Sequence, residues 1–412
     1  MKVHRKERNP FWLYCLFLFL TTFCELNLSV GGNVFKYAHY FLLMAFFLWG
    51  YKRALNVQCF WVVFLLSILC NCFSSYVFRG QSFVTSYLAY YQIWYLFFFF
   101  ALVLSRFHLH STEKFLKWAI LTVTVIYYIQ LVIFPKAVWG NASAPWIAEN
   151  DLYFRGLVVG GESAVSLGYF FFLNKFLVGK KRCNLVLATI CAIPFFIRGY
   201  RIMIMGALLS TFLLYIKCQV KFNLFKLLIK FIIIGILLVA LVLILYQYIP
   251  IVQASLDSLL SRAGESNQTF DNDDYIRMIS INYYYTRFFS SPIELFFGAG
   301  MIGDTGPVAD VFAQLMLYNY NLTDWGLIGL SWYAGIPVVL CILYYLIKGI
   351  FQRVPRQYIY INAWFLYLLI VSLTDPEMYQ HFSFLIQSIL LYILYLLKPS
   401  FLSLVSKKEK TC

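Results

Sequence analysis

Arg198 and Arg201 flank Gly199-Tyr200 between two apolar runs, a placement suited to one kind of chemistry. A planar guanidinium grips two oxygens of a phosphate at once, which the point charge of a lysine does not reproduce. Burial of these cations can also be offset by pairing with Glu162 or by snorkelling to the interface. Arg155, Arg277 and Arg287 lie in other polar segments of the chain. Glu162 sits inside an apolar run, where a carboxylate is costly; it is either a structural partner for an arginine or a group that takes a proton. Asp324, immediately ahead of a later apolar run, is a second acid of this kind, with Asp310 and His381 behind it.

The elements that carry these residues follow from hydropathy. Apolar residues are 62% of 412 positions, in runs near the ~20 residues that cross a ~30 Å hydrocarbon core. The pattern predicts an all-α integral membrane protein with about twelve spans, at 11–26, 34–50, 58–78, 83–104, 115–134, 156–176, 184–197, 202–216, 227–248, 326–347, 358–374 and 379–397. Three regions result: spans one to nine in 1–248, a large polar loop at 249–325, and spans ten to twelve with a tail in 326–412.

Alternation through twelve spans leaves nine of the thirty-three basic residues on one face: Lys36, Arg79, Lys136, Arg155, Arg198, Arg201, Arg262, Arg277 and Arg287. The other face holds the rest and is rich in lysine, so by the positive-inside rule it is cytoplasmic, with both termini. Seven of the nine outer cations are arginine, a bias that orientation alone does not require. The net charge of +15 is thus explained by membrane orientation and anionic headgroups, and nucleic acid is not an expected partner. The basic, apolar start of the chain has no small-residue cleavage site and reads as a retained first span. The ten cysteines are spread through the spans without zinc-ligand company and read as small apolar residues.

The runs at 185–197 and 202–216 are short, about 20 and 23 Å as helices, so the turn carrying Arg198 and Arg201 is expected to sink into the outer leaflet. If the second helix starts early, the two arginines become neighbours on it. The sixth span, read from 156, places Glu162 about 9 Å below its start, beside Gly156, Gly160 and Gly161, which serve either close packing or chemistry. In the large loop, 275–289 carries an apolar stripe of Ile276, Ile279, Tyr283, Phe288 and Phe289, as expected of a helix capping the spans. A glycine-rich turn, Gly298-Ala299-Gly300, follows. Asp271, Asp273 and Asp274 lack the glycine and distal glutamate of a calcium loop and read as solvated. A lipid-linked diphosphate sugar matches the charge and depth of the outer arginines better than acyl chains or zwitterionic headgroups do.

Three stretches in this order resemble the O-antigen polymerase and O-antigen ligase family. The first is Gly199-Tyr200-Arg201-Ile202-Met203-Ile204-Met205-Gly206. The second runs from Arg277 to Gly298-Ala299-Gly300, with ten residues between Arg287 and Gly298. The third is Thr323-Asp324-Trp325-Gly326-Leu327-Ile328-Gly329-Leu330 with Gly335-Ile336 beyond. The Arg155-Gly156 start of the sixth span is also similar. The resemblance implies a multi-pass glycosyltransferase of the bacterial inner membrane with its active site facing the periplasm. Its substrate would be an oligosaccharide on undecaprenyl diphosphate, with membrane lipids around it and a flippase and a chain-length regulator as partners. Arg201 and Arg277 would bind the diphosphate, supported by Arg155, Arg198 and Arg287, with Glu162 or Asp324 as the base and neither cofactor nor metal. Ligases of the family carry a histidine in the large loop. Here the histidines are His4, His39, His108, His110 and His381, none in that loop, which favours polymerase over ligase. A twelve-span transporter or glycan-lipid flippase has the same gross shape, although the chain shows no internal repeat. An outer-face acyltransferase would need a nucleophile or histidine motif that the sequence lacks.

Overall fold

A computed structural model describes residues 11–23, 32–54, 58–133, 138, 141–142, 157–158, 161–198, 201–219, 247, 276–303, 305–318, 320, 322–379 and 382–397. Its helices are α1 (Phe11–Leu18), α2 (Gly32–Gly50), α3 (Gln58–Arg79), α4 (Phe83–Ala89), α5 (Tyr91–Trp94), α6 (Phe98–Ser105), α7 (Leu109–Ile133), α8 (Ser163–Gly179), α9 (Arg182–Arg198) and α10 (Arg201–Cys218). After the undescribed stretch come α11 (Ile276–Tyr283), α12 (Pro292–Phe297), α13 (Pro307–Leu317), α14 (Gly326–Ala334), α15 (Ile336–Phe351), α16 (Ile359–Val371) and α17 (Ser383–Leu396). Strands among the described residues are confined to one antiparallel pair, β1 (Asn141–Ala142) with β2 (Leu157–Val158).

Length and composition qualify α3, α7 and α10 to cross a membrane, and a fourth span is made if α4 and the 91–105 segment, bent by 59°, are counted as one. Of the other expected spans, 34–50 appears as the 19-residue α2 and the rest that are described appear as shorter helices, while 227–246 lies outside the described residues. One face of α3 argues for hydrocarbon. Val62, Leu66, Leu69, Phe73 and Tyr76, spaced by four and three, are each at least 40% exposed. An apolar stripe of this length is uncommon on a monomeric protein in water and is what a lipid-facing helix requires.

The bend at Tyr90 frees backbone groups that must be paired again inside a bilayer. Ser82 caps α4 through the Thr85 amide at 3.1 Å, and the Trp94 indole donates to the Tyr87 carbonyl at 3.1 Å. The core surrounds α8, α16 and α17, most of whose residues are buried. Gly168 lets α7, α8 and α9 close up, since a Cβ there would fall 2.7 Å from Ile120 and 2.8 Å from Cys191.

Contacts between loops sort into two ends. At the lysine-rich end Lys175 pairs with Glu113, Lys217 Nζ donates to the Ile350 carbonyl at 3.0 Å, and Asn174 Nδ2 to the Arg356 carbonyl at 3.1 Å. At the opposite end Arg79 pairs with Glu294, and the Leu327 amide donates to the Ser372 carbonyl at 2.8 Å.

Two local expectations change. The helix carrying Glu162 starts at Ser163, after Gly161 at φ +77°, so Glu162 stands at the N-cap position, without a side-chain capping bond, instead of lying 9 Å along the helix. Glycine in a positive-φ turn stops the helix that hydropathy alone carries back to 156. α9 and α10 extend to 17 and 18 residues because arginine and lysine continue a helix well and their charged ends can reach the interface. They are less short than the apolar runs imply, and the turn between them lies outside the described residues. Arg198 closes α9 and Arg201 opens α10, so the pair is not two neighbours on one helix.

Candidate functional site

At the arginine-bearing end, the glycine-rich turn is built into the helix bundle. The Asn71 side chain of α3 donates to the Phe297 and Tyr333 carbonyls at 2.6 and 2.7 Å, and Ser74 Oγ donates to the Gly298 carbonyl at 2.8 Å. The Ala299 and Gly300 amides donate to the Trp332 and Tyr333 carbonyls at 2.9 and 3.0 Å. Gly298, Gly300 and Gly335 all have positive φ, and a Cβ on Gly298 would meet the Gly335 amide nitrogen at 2.5 Å. The Gly-x-Gly turn is thus a backbone-to-backbone seat against the break between α14 and α15, and its glycines are needed for packing.

Arg79 fastens the same seat. It pairs with the fully buried Glu294, donates Nη2 to the Phe288 carbonyl at 2.5 Å, and lies 4.4 Å from the Phe288 ring centroid. Glu294 also accepts from the Ser290 amide and hydroxyl at 2.7 and 2.8 Å. α11 and the π turn Tyr284–Phe288 then stack on α14 through Tyr284 and Trp332, with ring centroids 4.3 Å apart. Burial pushes the Tyr284 phenol well above its ordinary range, and its hydroxyl donates to the Tyr320 carbonyl at 3.0 Å.

Beside this seat the turn between α16 and α17 carries a second group of acids. Glu377, 4% exposed, accepts from the Tyr367 hydroxyl at 2.6 Å and the Ser166 hydroxyl at 3.1 Å. Trp364 Nε1 donates to the same Ser166 oxygen at 3.1 Å. Glu162, 7% exposed, stands four residues before Ser166, one helical turn away, so a second buried acid begins the helix that Ser166 joins to Glu377. Next to Glu162 in the chain, Ser163 Oγ is buried with no hydrogen-bond partner among the described residues. A buried hydroxyl left open in this way is what a bound water or a substrate hydroxyl would satisfy.

The predicted site residues fall as follows. Glu162 is buried at the start of α8, the helix whose Ser166 bonds Glu377. Asp324 is on the turn Leu322–Trp325, which abuts the turn Pro376–Met378 that bears Glu377. The Tyr379 hydroxyl donates to the Gly326 carbonyl at 3.2 Å across that contact. Arg277 is on α11, which Ser280 ties to Asp324's turn through Trp325 Nε1 at 3.2 Å. Arg201 opens α10 at the height of the α16–α17 turn, because Gly206 packs on Tyr367 and Val371. Its side chain is exposed on the face shared with Met205 and Leu208, away from the face of Gly206. Arg287 is exposed on the π turn, Asp310 is exposed in the first turn of α13, and Arg198 is the last residue of α9. Arg155 and His381 lie outside the described residues. The structure gathers one predicted acid, and the elements of a second acid and of Arg277, at one end.

Glu377, a candidate acid, and Arg79, an anchor of the glycine-rich turn, are residues that sequence reasoning passes over. Arg79 was legible only as an outer cation. The signal for Glu377 was an acid in one of the short turns between two apolar runs, Asp375-Pro376-Glu377. No family model matches the chain, and no curated protein matches it.

Proposed function

We propose that the chain is a twelve-span polymerase of a surface polysaccharide such as O-antigen or capsule, moving a growing glycan from undecaprenyl diphosphate to the distal sugar of another lipid-linked repeat unit. The observation that carries this reading is the pair of buried acids, Glu162 and Glu377, at the end of the bundle that also holds the outer arginines. In the reaction the acceptor hydroxyl oxygen attacks the anomeric carbon, and the bond from that carbon to the diphosphate oxygen breaks with its electron pair going to the diphosphate. A carboxylate of the acid cluster, Glu162 or Glu377, takes the acceptor proton, with Asp324 on the adjoining turn as the other candidate. Arg201 and Arg277, supported by Arg155, Arg198 and Arg287, neutralise the leaving diphosphate. Preorganised donors in a dry site stabilise such developing charge most, each by ~3–4 kcal/mol. The reading places both termini in the bacterial cytoplasm and the site on the periplasmic side of the inner membrane.

The bent α4–α6 segment favours a second reading, a glycan-lipid flippase, because broken helices often line transport sites. One experiment separates the two. Purified protein is incubated with a lipid-diphosphate-linked repeat unit, without nucleotide or metal, and the products are run on a gel. A ladder supports the polymerase. Transfer only to a separate lipid acceptor makes the protein a ligase, and an unchanged substrate returns the flippase.

A further inference from the structure

A groove of 540 Å³ lies between α3, α15 and the end of α17, at the lysine-rich end and away from the acid cluster. Phe60, Trp61, Val63 and Phe99 form one wall, Leu340 and Tyr344 the other. The polar groups of its walls are turned to the protein. Ser67 Oγ donates to the Val63 carbonyl at 2.8 Å, the Tyr345 hydroxyl to Gln387, and Gln352 Nε2 to the Leu394 carbonyl at 3.0 Å. What remains is an apolar channel.

Its opening faces sideways. Val63, Leu340 and Tyr344 are 49%, 55% and 53% exposed, and Val63 adjoins the apolar stripe of α3. An occupant would therefore enter from hydrocarbon, which selects a lipid over a soluble ligand. Along α3 the groove runs from Cys59 to Ser67, about 12 Å at 1.5 Å per residue, close to the ~15 Å depth of one leaflet. That length suits an ordinary acyl chain and is too short for a polyprenyl tail.

The mouth is positive. Lys348 lines it, with Nζ 3.1 Å from the Tyr344 hydroxyl and 5.1 Å from its ring centroid. Lys52 and Arg53, both exposed, are on the turn that Gln58 Nε2 ties to the start of α3 through the Tyr51 carbonyl at 3.1 Å. No acidic residue lines the groove. We infer that this groove holds an acyl chain of an anionic phospholipid from the leaflet at the lysine-rich end, with the lipid phosphate at Lys348. The inference is independent of the catalytic reading.

The test uses the full chain in phosphatidylcholine nanodiscs carrying a trace of phosphatidylglycerol or phosphatidylcholine with a photoreactive group in the acyl chain. Adducts are mapped by peptide mass spectrometry. The expected result is adducts at 59–67 and 340–344, with the phosphatidylglycerol probe exceeding the phosphatidylcholine probe roughly fivefold, the effect of about one lysine at a membrane surface. Lys348→Gln should bring the two probes to parity, and Ser67→Phe, which fills the channel, should suppress both. Equal yields from the two probes in the unaltered protein would overturn the inference. So would adducts spread evenly along the exposed stripe of α3 as far as Phe73, or displacement by unlabelled polyprenyl phosphate but not by phosphatidylglycerol.

Discussion

Replacing Arg79 by alanine removes the cation that holds the glycine-rich turn on the bundle. Glu294 is fully buried and Arg79 is 18% exposed at the side chain, so the pair is largely shielded from water. Losing one partner of such a pair costs about 3–5 kcal/mol, mainly because a charge stays buried without its counter-ion. Glu294 keeps the Ser290 amide and hydroxyl, which puts the expected cost near the lower end, about 3 kcal/mol. The turn opens locally, so the readout is hydrogen exchange at the Gly298 and Ala299 amides, which donate to the Glu294 and Trp332 carbonyls at 2.7 and 2.9 Å. At about 1.4 kcal/mol per tenfold, Arg79→Ala should speed exchange there roughly a hundredfold while leaving the amides of α17 unchanged. Arg79→Met combined with Glu294→Leu removes both charges and should recover most of the protection. If Arg79→Ala leaves exchange at Gly298 and Ala299 within about twofold, the pair does not seat the turn and the ~3 kcal/mol argument fails.

Other substitutions probe the seat and the acids. Gly300→Ala places a Cβ against Ser75 at φ +109°, and should cost at least about 2 kcal/mol of stability, read as a lower thermal midpoint; adding Ser75→Gly relieves the overlap but not the backbone strain. Glu377→Gln keeps the shape of the cluster and removes its charge, so the product ladder should weaken roughly a hundredfold with membrane insertion intact. A wild-type ladder from that variant would remove Glu377 as a proton acceptor. Arg201→Ala should abolish the ladder and Arg201→Lys should rescue it only in part, since lysine lacks the bidentate grip; full activity in the lysine variant would refute a diphosphate contact there.

The run of apolar segments, the sorting of lysine from arginine and the helix at 276–283 were legible in the residues themselves, because each depends on local composition and period. Helix starts were less so. Nothing in the apolar run from 156 announces that Gly161 adopts positive φ and that the helix begins only at Ser163. α9 and α10 likewise continue into their basic ends, where hydropathy falls but helix propensity does not.

The sequence by itself determined a helical membrane protein and Glu162 as an acid that needs a reason to be buried. Only the tertiary structure decided that Gly298-Ala299-Gly300 is a seat for Gly335, that Arg79 belongs to Glu294, and that Ser166, one turn into the helix after Glu162, bonds Glu377. These pairings join residues from 37 to more than 200 positions apart in the chain. Hydropathy and periodicity act over a helical turn or a membrane's thickness, whereas which helix ends meet is settled by packing.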